Sequence, residues 1–213
     1  MTPAEVLRIA QATGRVLADS TRTTEIHVVE ELTGRARFGR LREELGNAEI
    51  LSRRPELCSE MVDYNSLRRL PATTLGGAYA RHLDDNGLSA DYQAAKTQYV
   101  EDEDVAYLMR RFRQTHDVWH TLTNLGIEGW EEVTVHAFSL GQLHLPVSWM
   151  ILFFGGLKHG VLERRWDALT RIMPRAYQIG RRAAPLMPVI WENMWEEPLA
   201  RVRARFQVEP IRQ

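Results

Sequence analysis

From Val133 to Leu157 the chain runs for 25 residues without an Asp, Glu, Lys or Arg. Such a tract has to be hidden, either in lipid or in a protein core. A membrane span is the first option. However, the tract holds His136, Gln142, His144 and Pro146, and only the eleven residues from Val147 to Leu157 are lipid-like throughout. A spanning helix needs about 20 apolar residues. The tract therefore predicts two buried helices joined near Gly141–Pro146.

The rest of the chain also reads as helix. Helical periods dominate, and alternating Val/Ile/Thr runs are scarce. The 213 residues suit one domain with a real core. We expect an all-α, single-domain helical bundle over 1–213, with residues 1–50 as its N-terminal helical part. Thr2-Pro3-Ala4-Glu5 is a capped helix start. Asn47–Pro55 and Arg68–Gly77 read as connections, Asp84–Gly87 as a turn and Ser89 as a cap. The acidic run 101–104 suits a helix N-terminus.

Charge and cysteine content exclude several classes. A net charge of −1 calls for no nucleic-acid partner. Residues 158–213 carry 11 Lys+Arg against 6 Asp+Glu, a basic third that could face an anionic membrane or simply be a solvated helix face. The N-terminus lacks the apolar centre of a signal peptide, which predicts a cytoplasmic protein. The single cysteine, Cys58, excludes disulfides within the chain and thiolate-rich zinc modules. Any bound metal must use imidazoles and carboxylates. Five of the seven histidines (His116, His120, His136, His144 and His159) lie within 116–159.

The helix after the acidic run is the most legible element. Val105, Leu108, Met109, Phe112, Trp119 and Leu122 form one apolar stripe. At about 100° per residue, His116 falls within that stripe, His120 about 40° away and Asp117 at its edge. Arg110 and Arg111 point elsewhere. The break at Thr123–Gly129 then turns the chain back, and helix resumes near Glu131. Twelve residues of continuous helix would carry Glu132 roughly 18 Å from His120. The turn instead lets a second helix present an acid to the first, as in metal sites built between facing helices. Periodicity does not choose between Glu131 and Glu132. A structural histidine–carboxylate network is the bland alternative to a metal site.

The words of the sequence go further. HDVWH at 116–120, then eleven residues, then Glu132, resembles the HDxxH-x11-E motif of the Coq-four family of ubiquinone (coenzyme Q) biosynthesis proteins. RPEL at 54–57, LRRLPATTLGGAYARHL at 67–83, LSADYQ at 88–93, DEDVAYLMRRFRQTHDVWHTLTNLG at 102–126, LPVSW and WEEPLARVRARFQV are similar to that family as well. The resemblance covers most of the chain from about residue 50. It implies that His116, Asp117, His120 and Glu132 are the metal ligands and the catalytic set, and it selects Glu132 over Glu131. Two positions depart from the family pattern: Glu131 stands where glycine is usual, and Ser139 where an acid is frequent.

The resemblance implies oxidative decarboxylation, with C1 hydroxylation, of a polyprenylated 4-hydroxybenzoate-derived intermediate, a carbon–carbon lyase type of activity. It implies a divalent ion: zinc first, with iron, cobalt or manganese as alternatives. Val147, Met150, Ile151, Phe153 and Phe154 are expected beside an apolar channel for the prenyl tail, against the plainer option of helix-packing core. Expected partners are the polyprenylated quinone precursor, the membrane surface at its inner face, other ubiquinone biosynthesis proteins and a second copy of the chain. The leading rival is a non-enzymatic prenyl-lipid-binding scaffold that organises the biosynthetic complex. A phosphohydrolase with an HD doublet would need further ligands, for which only His82 and Asp84 offer themselves. A metalloprotease would place Glu, not Asp117, after the first histidine. His136 is expected behind the ligands, His27 and His82 as ordinary residues, and His144 and His159 without a role.

Overall fold

α6 (Glu103–Thr123), which carries the HDVWH segment, is buried along nearly its whole length. The computed structural model describes residues 1–19, 22–91 and 99–212, without the side chains of Thr23 and Val161. Tyr92 and Gln93 of the LSADYQ segment, and Lys96, lie outside the described residues. Among the described residues every regular element is helical.

α1 (Pro3–Ala18) begins as predicted. The Thr2 hydroxyl accepts the Glu5 amide, and the Glu5 carboxylate accepts the Thr2 amide. α2 (Thr23–Leu45) packs along it. The short α3 (Glu49–Arg53) forms inside the expected connection Asn47–Pro55, and α4 (Tyr64–Arg69) lies between the two expected connections, running into the start of the second. α5 (Leu75–Asp85) is capped by Thr74, whose hydroxyl accepts the Gly77 amide. Asp102 caps α6 by accepting the Asp104 and Val105 amides, which fits the acidic run to a helix start.

The charge-free tract does form two helices, α7 (Gly129–Leu143) and α8 (Pro146–Gly155). The wider π-turns of Gly156–Leu162 extend α8. A second π segment, Ala168–Ile172, leads into α9 (Met173–Arg182), and α10 (Leu199–Phe206) closes the chain. α7 crosses α9 at very close range. A Cβ on Gly180 would lie 2.2 Å from the Phe138 carbonyl oxygen, and one on Gly141 2.5 Å from that of Tyr177. Only glycine allows two backbones to touch in this way.

Three expectations need correction. Only α7 is a buried helix of the expected pair. α8 buries Val147 and Ser148 but leaves Trp149 62% and Phe153 69% exposed, because α2 and α7 cover one side only. α6 is not a one-faced helix, since burial extends around most of its circumference. Its polar residues are therefore paired internally. Arg111, fully buried, grips Glu192 with two bonds of 2.7 and 2.8 Å, and Arg113 holds Glu30 and Glu31 of α2 at 3.1 and 2.9 Å. Buried guanidinium groups are found in such bidentate company. Finally, the basic C-terminal third is partly structural. Arg203 donates to the Leu122 and Thr121 carbonyls at 2.8 and 3.0 Å, satisfying acceptors at the end of α6, and Arg212 pairs with buried Glu131 at 2.9 Å. Trp191 is fully buried and Trp195, partly buried, stacks on Tyr79, so both tryptophans pack on the core.

Candidate metal centre

The site lies where α5, α6 and α7 meet. His116, Asp117 and His120 come from successive turns of α6. One donor atom from each falls within 4.8 Å of the others. The turn at Thr123–Gly129 is built to bring α7 back beside them. Asn124 ends α6 in the left-handed conformation, with φ 57°. Glu131 then caps α7: its carboxylate accepts the Glu128 amide at 3.2 Å. That cap and the Arg212 pair occupy Glu131. Glu132, one residue on, faces α6 with its Oε2 3.5 Å from His120 Nε2. The geometry thus separates the two acids that periodicity left equivalent.

The electrostatics couple the two helices. Burial works against the His120 imidazolium, but the Glu132 and Asp117 carboxylates outweigh it and raise its pKa. Burial also opposes the Glu132 carboxylate; the imidazoles of His120, His116 and His136 overcome this and hold it near 2. Its side chain keeps 39% of its surface open, which leaves the cluster one polar side toward solvent.

The donor atoms suit a divalent cation. His116 Nε2 is buried without a partner, and His120 Nε2 has no hydrogen bond beyond the Glu132 carboxylate 3.5 Å away. A buried polar atom left in this state costs about 1–3 kcal/mol unless something bonds it. Bonds of about 2.1 Å to one ion would satisfy both nitrogens. Two imidazoles and two carboxylates would neutralise its charge.

Two more histidines adjoin the four residues. His136 of α7 places its ring 5.4 Å from that of His116 and its Nδ1 3.4 Å from the Ser148 hydroxyl. His82 of α5 stacks on His120 at 5.3 Å. Burial keeps both neutral, with pKa values of about 3 and 4. Sequence reading missed His82 because nothing local links it to α6. Its place, one turn after Tyr79 on the buried face of α5, was the available signal. Asp84 does not join it but pairs with Arg68 at the surface, so the HD-doublet arrangement is not assembled.

The remaining histidines lie elsewhere. His144, exposed, ends α7 in the left-handed conformation. His159 pairs with Glu163 at 2.8 Å and packs on Gly129. Ser139 is buried and bonds back to the Val135 carbonyl. Of the five residues expected near a tail channel, Val147 is core. Met150 and Ile151 are partly buried against that core. Phe154 is half-buried beside Phe153, which faces solvent.

Fold and site together define a class: an all-helical protein with histidines and carboxylates of facing helices gathered in one cluster. Residues 3–212 match the family described as coenzyme Q (ubiquinone) biosynthesis protein Coq4. The chain is 32% identical over 203 residues to the Bos taurus "Ubiquinone biosynthesis protein COQ4 homolog, mitochondrial", covering 93% of this chain and 76% of that one. It is likewise 32% identical to the Homo sapiens COQ4 homolog over 201 residues, covering 92% and 75%. A crystal structure from Nostoc punctiforme PCC 73102, described as a ubiquinone biosynthesis protein, shares the fold with a TM-score of 0.72 at 23% identity, covering 95% of this chain and 97% of that one. The chain belongs to the Coq4 family of ubiquinone biosynthesis proteins. No helix among the described residues is long and apolar enough to cross a membrane.

Proposed function

We propose that this protein carries out a metal-dependent oxidative decarboxylation in ubiquinone biosynthesis, replacing the C1 carboxylate of a polyprenylated hydroxybenzoate-derived ring with a hydroxyl. The observation that carries this reading is the gathering of His116, Asp117 and His120 donor atoms within 4.8 Å of one another, with His116 Nε2 buried without a partner and Glu132 3.5 Å from His120 Nε2. His116, Asp117, His120 and Glu132 would hold the ion, with zinc the first candidate for this nitrogen and oxygen set. When bound, such an ion acts as a Lewis acid toward the substrate's carboxylate or phenolate. In balance, the ring carboxylic acid, water and dioxygen give the phenol, carbon dioxide and hydrogen peroxide, with dioxygen as the two-electron oxidant. The protein's part is to orient the ring through Glu132 on the open side and to keep the remaining sides dry.

The tail and the membrane fit the outer face of α8. Trp149, Phe153, Leu157, Leu162 and Trp166 are all exposed, from 51% to 75%. Monomeric proteins seldom leave so much apolar surface uncovered. Lys158 and Arg164 are exposed beside it, which suits anionic headgroups around a lipid-inserted strip. A membrane-docked protein could take a prenylated ring directly from lipid, where each buried isoprene unit contributes roughly 3–4 kcal/mol. The same exposed strip also favours a second reading, a lipid-docked scaffold for other biosynthesis proteins or a second copy of the chain.

Metal analysis and lipid extraction of natively purified protein test the proposal. It expects near-stoichiometric metal together with a prenylated benzoate or quinone, and loss of the metal in His120→Ala. Absence of both from the unaltered protein would return the cluster to a structural network.

A further inference from the structure

We propose that His82 is a third imidazole ligand of the metal, added to the two histidines of α6; this rests on the metal reading above. Nothing in the HDxxH-x11-E motif points to residue 82, which lies 34 positions before His116 on a different helix. The structure nevertheless delivers it to the same place. Its ring is 5.3 Å from that of His120, comparable with the 4.7 Å between His116 and His120. Its Nε2 is buried and has no hydrogen-bond partner, a condition it shares with His116 Nε2 and His120 Nε2 and with no other imidazole nitrogen among the described residues. Three buried nitrogens without a hydrogen bond thus lie on two adjoining helices; the donors already within 4.8 Å of one another are those of His116, Asp117 and His120, and His82 would join them by turning its ring out of the stack on His120. A single cation would satisfy all three, whereas separate explanations would need a separate partner for each.

The placement of His82 is fixed from behind. A Cβ on Gly77 would lie 2.1 Å from the Pro71 carbonyl oxygen, so the start of α5 is pressed onto the preceding loop. Tyr79, one turn before His82, stacks on Trp195 at 5.5 Å. The Asn86 amide donates to the His82 carbonyl at 2.7 Å and tightens the last turn. These contacts hold the imidazole against α6. A third neutral imidazole leaves the charge of the site unchanged but shifts its donor set toward nitrogen. Nitrogen donors favour zinc, cobalt and copper over magnesium and manganese. His82 would therefore set metal choice as well as affinity.

The test uses the full chain, stripped with chelator and reloaded with Zn²⁺, Mn²⁺ or Cu²⁺ alone. His82→Phe keeps a ring in the space and removes both nitrogens. His82→Gln serves if that variant does not fold, and circular dichroism of each metal-free protein checks folding. The expected result is Zn²⁺ affinity lowered by at least ~10-fold, Mn²⁺ affinity changed much less, and a pulsed-EPR signal of Cu²⁺-loaded protein with one fewer coordinated imidazole. Unchanged Zn²⁺ affinity and an unchanged imidazole count in a folded variant would overturn the proposal. His120→Ala separates the two levels. If the unaltered protein binds no metal, or binds it equally well without His120, the metal reading itself fails. If only the His82 variants behave like the unaltered protein, His82 alone is excluded.

Discussion

His120 Nε2 and Glu132 Oε2 face each other 3.5 Å apart across the α6–α7 interface, and Glu131, the preceding acid, turns the other way to Arg212. Adjacent acids thus hold separate tasks. Glu132→Gln should lower Zn²⁺ affinity by ~10–100-fold and also lower the metal-free melting temperature, because against the cost of burial His120 holds the Glu132 carboxylate ionised. Glu131→Gln should leave Zn²⁺ affinity nearly unchanged and cost about 1–3 kcal/mol by weakening a helix cap and an ion pair. Calorimetric metal titration of both variants, with thermal melts to check folding, would show the difference; equal losses of Zn²⁺ affinity in both would contradict it.

Gly180 is the tightest point between α7 and α9. Gly180→Ala would push a methyl into the Phe138 carbonyl and should destabilise the protein by about 3 kcal/mol, above the usual range for a surface helix. Gly39, whose Cβ would meet nothing within 4 Å, is the control. Gly39→Ala should be neutral or slightly stabilising in a denaturant titration.

The exposed strip on α8 gives a surface prediction. Trp149→Ser combined with Phe153→Ser should reduce partition onto anionic vesicles by ~10-fold or more without lowering the melting temperature. Vesicle sedimentation measures the first effect. Equal sedimentation of the variant and the unaltered protein would remove the strip from the account.

pH dependence follows from histidines held neutral. Burial, with Arg113 nearby, brings the His27 pKa down from 6.5 to about 4. Between those values the unfolded chain takes up a proton that the folded one refuses. The stability this supplies is complete above pH 6.5 and is lost as pH falls toward 4. His82 and His136 act in the same direction in metal-free protein. The melting temperature of metal-free protein should therefore fall from pH 7 to pH 4.5, and His27→Gln should make that fall smaller. An identical fall in the variant would refute the assignment.

Much of this was legible in the sequence because it was local. The Thr2 cap, the acidic start of α6 and the turn after it each depend on neighbours within a few residues, and each is found as read; the α6 stripe is buried too, but burial continues around the helix. The exposure of α8 was not legible. Its composition demands burial, and only tertiary placement shows which side α2 and α7 leave open. Arg111 and Arg203 were misjudged for a similar reason. A guanidinium reads as surface until its distant partners, Glu192 and the last carbonyls of α6, are seen. His82 is the site's own example, since a stacking contact across 38 residues leaves no period to detect.

One measurement bears most directly on the central claim. In a host lacking its own family member, this protein and its Glu132→Gln variant are expressed at equal, folded levels, and the prenylated ring intermediates are quantified by mass spectrometry. The account predicts that the unaltered protein restores ubiquinone, while the variant accumulates the intermediate that still carries its C1 carboxylate. Ubiquinone at the unaltered level from Glu132→Gln would contradict the enzymatic reading and leave the scaffold in its place.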